Sequence, residues 1–166
     1  MPATTPVLSI RPATPDDVPL IRQLIAELAD YERLAHAAVA TDADLRAQLF
    51  GERPAAEVLI GELDGEPAGF ALFFHNFSTF LGRRGLYLED LFVRPQYRGS
   101  GLGKHMMAVL ARTAVQRGCG RFEWSVLDWN QPAIDFYQSI GALPQDEWVR
   151  YRMAGDALRN FAEGRR

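Results

Sequence analysis

The chain has 166 residues, of which 48% are apolar and 23% charged, the size and balance of one globular domain rather than a disordered chain. Eighteen Lys and Arg stand against 21 Asp and Glu, a net charge of −3, which lacks the basic excess of a nucleic-acid binder. Cys119 is the one cysteine, so no disulfide forms within the chain and a reducing compartment fits. Met1 to Ser9 lacks the basic and apolar regions of a signal peptide, and no apolar run approaches the roughly 20 residues that span a bilayer. The expectation is one cytoplasmic domain over residues 1–166, with neither nucleic acid nor membrane as partner.

Val7–Arg11 reads as a first strand. Thr14, Pro15 and Asp17 form a helix-start pattern, and Val18, Ile21, Leu24, Ile25 and Leu28 follow at helical spacing, so a helix should run to about Tyr31. Thr41 or Asp42 opens a second helix carrying Leu45, Leu49 and Phe50. Glu57–Leu63 and Ala68–Phe74 read as strands joined through Asp64-Gly65. Asn76–Arg84 reads as a loop, and Leu86–Val93 as a strand ending before Pro95. A long helix from Gly101 to Gln116 presents Leu102, Met106, Val109, Leu110 and Thr113 on one face and stops at Gly118 and Gly120. Arg121–Leu127 is the next strand. Asn130-Gln131-Pro132 starts a short helix, Trp148–Met153 reads as a last strand, and Asp156–Ala162 as a terminal helix. An antiparallel meander feeding a β-α-β unit predicts a mixed α/β sheet with helices on both faces.

The glycine-rich turn carries the most chemistry. Leu91-Phe92-Val93 is a strand, and Gly99-Ser100-Gly101-Leu102-Gly103-Lys104 opens a helix behind it. Glycines let backbone approach a ligand closely, and the N–H groups of a first helical turn favour an anion such as a pyrophosphate. Arg98 adds positive charge at that place. A P-loop fails here twice, because His105 follows Gly103-Lys104 and Arg98 replaces the first glycine. A dinucleotide fingerprint fails at its sixth position, Lys104. Arg98-x-x-Gly101-x-Gly103 after a strand fits a third pattern.

That pattern resembles the central motif of the GNAT superfamily of N-acetyltransferases. The runs Tyr87–Val93, Tyr97–Gly103 and Asp128–Tyr137 resemble its diamine and polyamine branch, which includes enzymes acting on thialysine and other lysine-like amines. The resemblance implies a largely antiparallel central sheet and acetyl-CoA as cosubstrate. It implies that Leu91, Phe92 and Val93 lend backbone hydrogen bonds to the pantetheine arm. Arg98, Gly99, Ser100, Gly101, Leu102, Gly103 and Lys104 would hold the pyrophosphate. Asn130, Pro132 and Ala133 would line the cofactor, with Phe136 beside it, and Tyr137 would be the general acid. Tyr31, Glu32, Glu89 and an acid beside Trp148, Asp146 or Glu147, would face a small-molecule amine. The family commonly forms homodimers. One departure stands out: Ser78 and Phe80 occupy the places where polyamine enzymes carry an acid and a tryptophan.

An alkylamine has a pKa of about 10.4 and arrives protonated, so a carboxylate must bind it and take its proton. Glu89 is the candidate, on the strand face opposite Leu88, Asp90 and Phe92 if alternation holds; Asp90 is a further candidate to bind the amine. Tyr137, two helical turns beyond Asn130, is placed to protonate a leaving thiolate or to pack in the core. His36, His75 and His105 have no ligand spacing, so no metal is expected. Acetylation of a protein lysine or N-terminus, a non-catalytic acetyl-CoA-binding module, and a nicotinamide-dependent oxidoreductase are the alternatives.

Overall fold

A computed structural model describes residues 5–165. The chain divides into two compact units, Met1–Leu127 and Asp128–Arg166. The first unit holds a sheet of five strands in chain order: β1 Leu8–Pro12, β2 Glu57–Leu63, β3 Glu66–Ser78, β4 Arg83–Val93 and β5 Phe122–Trp124. Four are antiparallel neighbours, and β4 and β5 run parallel. Helices α1 Val18–Tyr31, α2 Asp42–Phe50 and α3 Leu102–Gln116 complete it.

Local chemistry sets the boundaries. The Thr14 N–H donates to the Asp17 carboxylate at 2.7 Å, and a short 3₁₀ turn over Pro15–Asp17 precedes α1. Thr41 caps α2, its hydroxyl accepting from the Asp44 N–H at 3.1 Å. Asp64 and Gly65 have φ of +51° and +81°, the two positive values that a tight β2–β3 hairpin turn needs. The expected loop over residues 76–84 is mostly strand: Asn76 pairs with Gly85 and Ser78 with Arg83, leaving only residues 79–82 as the turn. The ladder outweighs the polar and glycine composition that suggested a loop.

Helices cover both faces of the sheet. Val18, Ile21, Leu24 and Leu28 of α1 and Leu45 and Leu49 of α2 pack with Val58, Ile60, Phe70 and Phe92. On the other face α3 buries Leu102, Met106, Met107, Leu110 and Ala114. Gly61 makes room for it: a Cβ there would stand 3.0 Å from Leu102 Cδ1 and 3.2 Å from Met106 Sδ. Each fully buried Leu or Ile removes side chain from water worth roughly 1.5–3 kcal/mol, so the two layers hold the sheet between them.

The strand β4 breaks its alternation once. Leu72 pairs with Asp90 and Phe73 with Leu88, so Glu89 is an extra residue with no partner on β3. Phe70 and Leu72 share the α1–α2 face, so Phe73 points the other way. Leu88, opposite Phe73, therefore faces α3, while Asp90 and Phe92, opposite Leu72 and Phe70, face α1. This corrects the expectation that Leu88, Asp90 and Phe92 share one face. The bulge inverts the strand between them, and a sequence read with strict alternation does not contain it.

The second unit carries α4 Gln131–Ser139 and α5 Gly155–Ala162. The expected strand Trp148–Met153 is absent: these residues pair with no strand among the described residues. Their aromatic and β-branched side chains favour a strand, but a strand exists only in a ladder. The strand expected over Arg121–Leu127 is likewise shortened to Phe122–Trp124.

Gly69 gives a test of the β3–β4 packing. A Cβ there would lie 2.3 Å from the Phe92 carbonyl oxygen and 3.1 Å from the Val93 Cα, backbone atoms that have little freedom to move. Gly69→Ala should lower the unfolding free energy by about 1–3 kcal/mol, read as an earlier urea midpoint with an unchanged slope.

Candidate functional site

Strand β4 runs through Arg94 and a 3₁₀ turn over Pro95–Tyr97 into the glycine turn and α3. Gly99 and Gly101 have φ of +79° and +87°, a region costly for other residues. A Cβ at either would meet no protein atom within 4 Å, so the turn opens onto free space rather than packing against the protein. The first hydrogen bond of α3 runs from the His105 N–H to the Gly101 carbonyl at 2.9 Å. The amides of Leu102, Gly103 and Lys104 come before it. That of Leu102 donates to Ser100 Oγ at 3.3 Å. Amides that precede the first helical bond, with the positive end of a 15-residue helix, suit a phosphate. The turn therefore fits the pyrophosphate of acetyl-CoA in conformation, open space and donor chemistry.

The strand before the turn has an open edge. The parallel ladder between β4 and β5 ends at Leu88 and Trp124. From Asp90 to Val93, β4 pairs only with β3, so alternate peptide groups turn their N–H and C=O away from any strand among the described residues. Leu91, Phe92 and Val93 lie on this stretch.

Three acids gather where the strand bulges. Asp90 is half-buried, and its carboxyl is pushed up to about 6 by burial first, then by the charges of Glu89 and Glu32. Burial also raises Glu32. Tyr31, the last residue of α1, precedes Glu32, and its ring centroid lies 6.5 Å from that of Phe92. Glu89 itself is exposed. The first unit thus brings together Tyr31, Glu32, Glu89 and Asp90, carboxylates and aromatic faces suited to an alkylammonium.

Arg98 occupies an unexpected place. Its Nε donates to the Val93 carbonyl at 3.2 Å, and its guanidinium carbon stands 4.5 Å over the Tyr31 ring and 6.0 Å from that of Phe92. Sequence reading missed its neighbour Arg94. Nε and Nη2 of Arg94 donate to the two Glu27 oxygens at 2.9 and 3.0 Å, and Nη1 donates to the Pro67 carbonyl at 2.9 Å. This fork ties the start of the turn to α1 and β3. Glu27 and Arg94 are 67 residues apart, and no local spacing signals the pair.

In the second unit Asn130 is buried and caps α4, its Oδ1 accepting from the Ala133 N–H at 3.4 Å. Pro132 follows in the first turn, where its missing N–H costs nothing. Phe136 and Tyr137 are half-buried, their rings 5.5 Å apart, and the Tyr137 carbonyl accepts from the Ala142 N–H at 3.1 Å. Glu147 and Trp148 lie in an irregular segment, with Trp148 79% exposed. The described residues contain no cluster of three or more His, Cys, Asp or Glu placed to hold a metal, and no helix long and apolar enough to cross a membrane.

Residues 21–142 match the sequence profile of the acetyltransferase (GNAT) family. The chain is similar to an L-ornithine N5-acetyltransferase of Arabidopsis thaliana, 38% identical over 90% of this chain and 85% of the relative. It is equally similar to a thialysine N-epsilon-acetyltransferase of Sus scrofa, 38% identical over 92% of this chain and 96% of the relative. Among solved structures, an integron cassette protein of V. cholerae superposes with a TM-score of 0.80 at 29% identity, covering 94% of this chain and 98% of that one.

The acid cluster predicts a pH dependence. Between about pH 4 and pH 6 the native Asp90 keeps a proton that the unfolded chain has released, so stability falls as pH rises through that window. Asp90→Asn removes the effect. Its stability relative to the unaltered chain should rise by about 2–3 kcal/mol between pH 4 and pH 7.5 in urea unfolding, at about 1.4 kcal/mol per pKa unit. An equal difference at both pH values would contradict the assignment.

Proposed function

We propose that this chain, which belongs to the GNAT family of acetyltransferases, transfers acetyl from acetyl-CoA to the terminal amine of a small diamine or lysine-like substrate by direct attack. The observation that carries the reading is the continuity of β4: the strand that bears Glu89 and Asp90 at its bulge presents an open edge and runs directly into the glycine turn. The relatives' action on ornithine and thialysine supports an acceptor of that length.

Acetyl-CoA supplies the activated acetyl group. The amides of the glycine turn and Arg98 would bind its pyrophosphate, the open edge of β4 at Leu91–Val93 would orient its arm, and Asn130, Pro132, Ala133 and Phe136 are proposed to contact it. Glu32 and Asp90 attract the ammonium. Glu89, exposed to solvent, takes its proton and passes it to water, leaving the neutral amine as nucleophile. Tyr137 donates its phenolic proton to the departing sulfur. Glu147 and Trp148 are proposed to contact the acceptor. Ser78 supports a short acceptor: its Oγ accepts from the Leu81 N–H at 3.2 Å, closing the hairpin, and Phe80 is 95% exposed, so neither supplies a carboxylate for the far end of a polyamine.

We further propose that residues 1–166 act as one domain. The family profile crosses from the first compact unit into the second, which supports it. Exposed Trp148, Val149, Tyr151 and Phe161 support a homodimer. A cytoplasmic enzyme with no nucleic-acid or membrane partner agrees with the acidic balance and single cysteine.

Coenzyme A release should be measured by thiol titration with ornithine, thialysine, lysine, putrescine and spermidine. Turnover is expected with the short acceptors and least with spermidine. Tyr137→Phe should lower kcat by about a hundredfold or more, in the range of a lost general acid, with little change in the KM for acetyl-CoA. An unchanged kcat would remove the acid assignment.

A further inference from the structure

The resemblance places Tyr31 with the amine, and its ring also carries the guanidinium of Arg98. The arrangement has three points of fixation. Arg98 Nε donates to the Val93 carbonyl at 3.2 Å, its guanidinium carbon lies 4.5 Å from the centre of the Tyr31 ring, and the centre of the Phe92 ring stands 6.0 Å away. The Tyr31 ring is itself held, since it is half-buried, packs against the α1–α2 core and lies beside Phe92. Arg98 is otherwise exposed, and a free arginine side chain samples many rotamers. Stacking on a fixed ring removes most of that freedom before any ligand arrives. The Val93 bond uses the Nε donor, and the four N–H donors on Nη1 and Nη2 are left for an anion.

We propose that Tyr31 is a positioning residue for cofactor binding: its ring holds Arg98 in place to receive the pyrophosphate of coenzyme A beside the Gly99–Gly103 turn. The inference rests on the assignment of coenzyme A to that turn and adds a role for a residue that resemblance places with the acceptor. Because Tyr31 also adjoins Glu32, one ring links the two sides of the site. Loss of the ring weakens cofactor binding even when no amine is present.

The test is calorimetric titration of coenzyme A alone into the unaltered chain and into Tyr31→Phe, Tyr31→Leu, Arg98→Ala and the double variant Tyr31→Leu/Arg98→Ala. Leu keeps an apolar, helix-compatible side chain in the core, and Phe keeps the ring. Tyr31→Leu should raise Kd about 3- to 30-fold, the range of a partly exposed to desolvated cation–π contact. Tyr31→Phe should stay within about threefold of the unaltered chain. The double variant should bind no more weakly than Arg98→Ala alone, because Tyr31 acts only through Arg98. An unchanged Kd for Tyr31→Leu, or losses that add in the double variant, would overturn the proposal while leaving the proposed function standing. Failure of the unaltered chain to bind coenzyme A would overturn both.

Discussion

One extra residue in β4 sets the arrangement on which the site depends. A strand in an antiparallel pair presents alternate residues to opposite faces, and any inserted residue inverts everything beyond it. Here the insertion falls at Glu89, between a position that faces α3 and one that faces α1. Before it, Leu88 contributes to the core under α3. After it, Asp90 turns toward Glu32 and Phe92 toward Tyr31. The same stretch is where β5 stops pairing, so the strand gains a free edge as it gains an acid cluster. Each feature would be costly alone, an unpaired edge for its peptide groups and a half-buried carboxyl for its charge. Together they suit one ligand that brings amide partners to the edge and a second that brings a cation to the acids.

The surrounding contacts hold this stretch in register. The tight approach at Gly69 locks β3 to the end of β4. Arg94 then fastens the chain to Glu27 on α1 and to the Pro67 carbonyl before it enters the glycine turn. Arg98, four residues on, leans back over Tyr31. Glycine turn, strand and first helix are therefore connected through the Arg94 and Arg98 side chains rather than by proximity alone.

Much of this was legible in the sequence, for physical reasons that differ by element. The α1 and α3 faces follow from apolar spacing, and the buried Ile21, Leu24, Met106 and Leu110 are the residues that spacing selects. The glycine turn was legible because positive φ and an open helix start leave few substitutes for glycine. The bulge was not, because it depends on which β3 residue opposes which β4 residue, a long-range register. Residues 76–78 looked like loop and are strand, since ladder pairing decides there. Residues 148–153 looked like strand and are irregular, for want of a ladder partner. Arg94 carried no local signal, because its carboxylate partner comes from another element.

We propose that the open edge of β4 and the glycine turn form one continuous binding surface for coenzyme A. The most direct measurement is a map of backbone amide chemical shifts during titration with coenzyme A. The largest first-unit changes should fall at Leu91–Val93 and Gly99–Lys104 together, saturating at one concentration. Changes confined to residues outside both stretches, or two stretches that saturate at different concentrations, would contradict it.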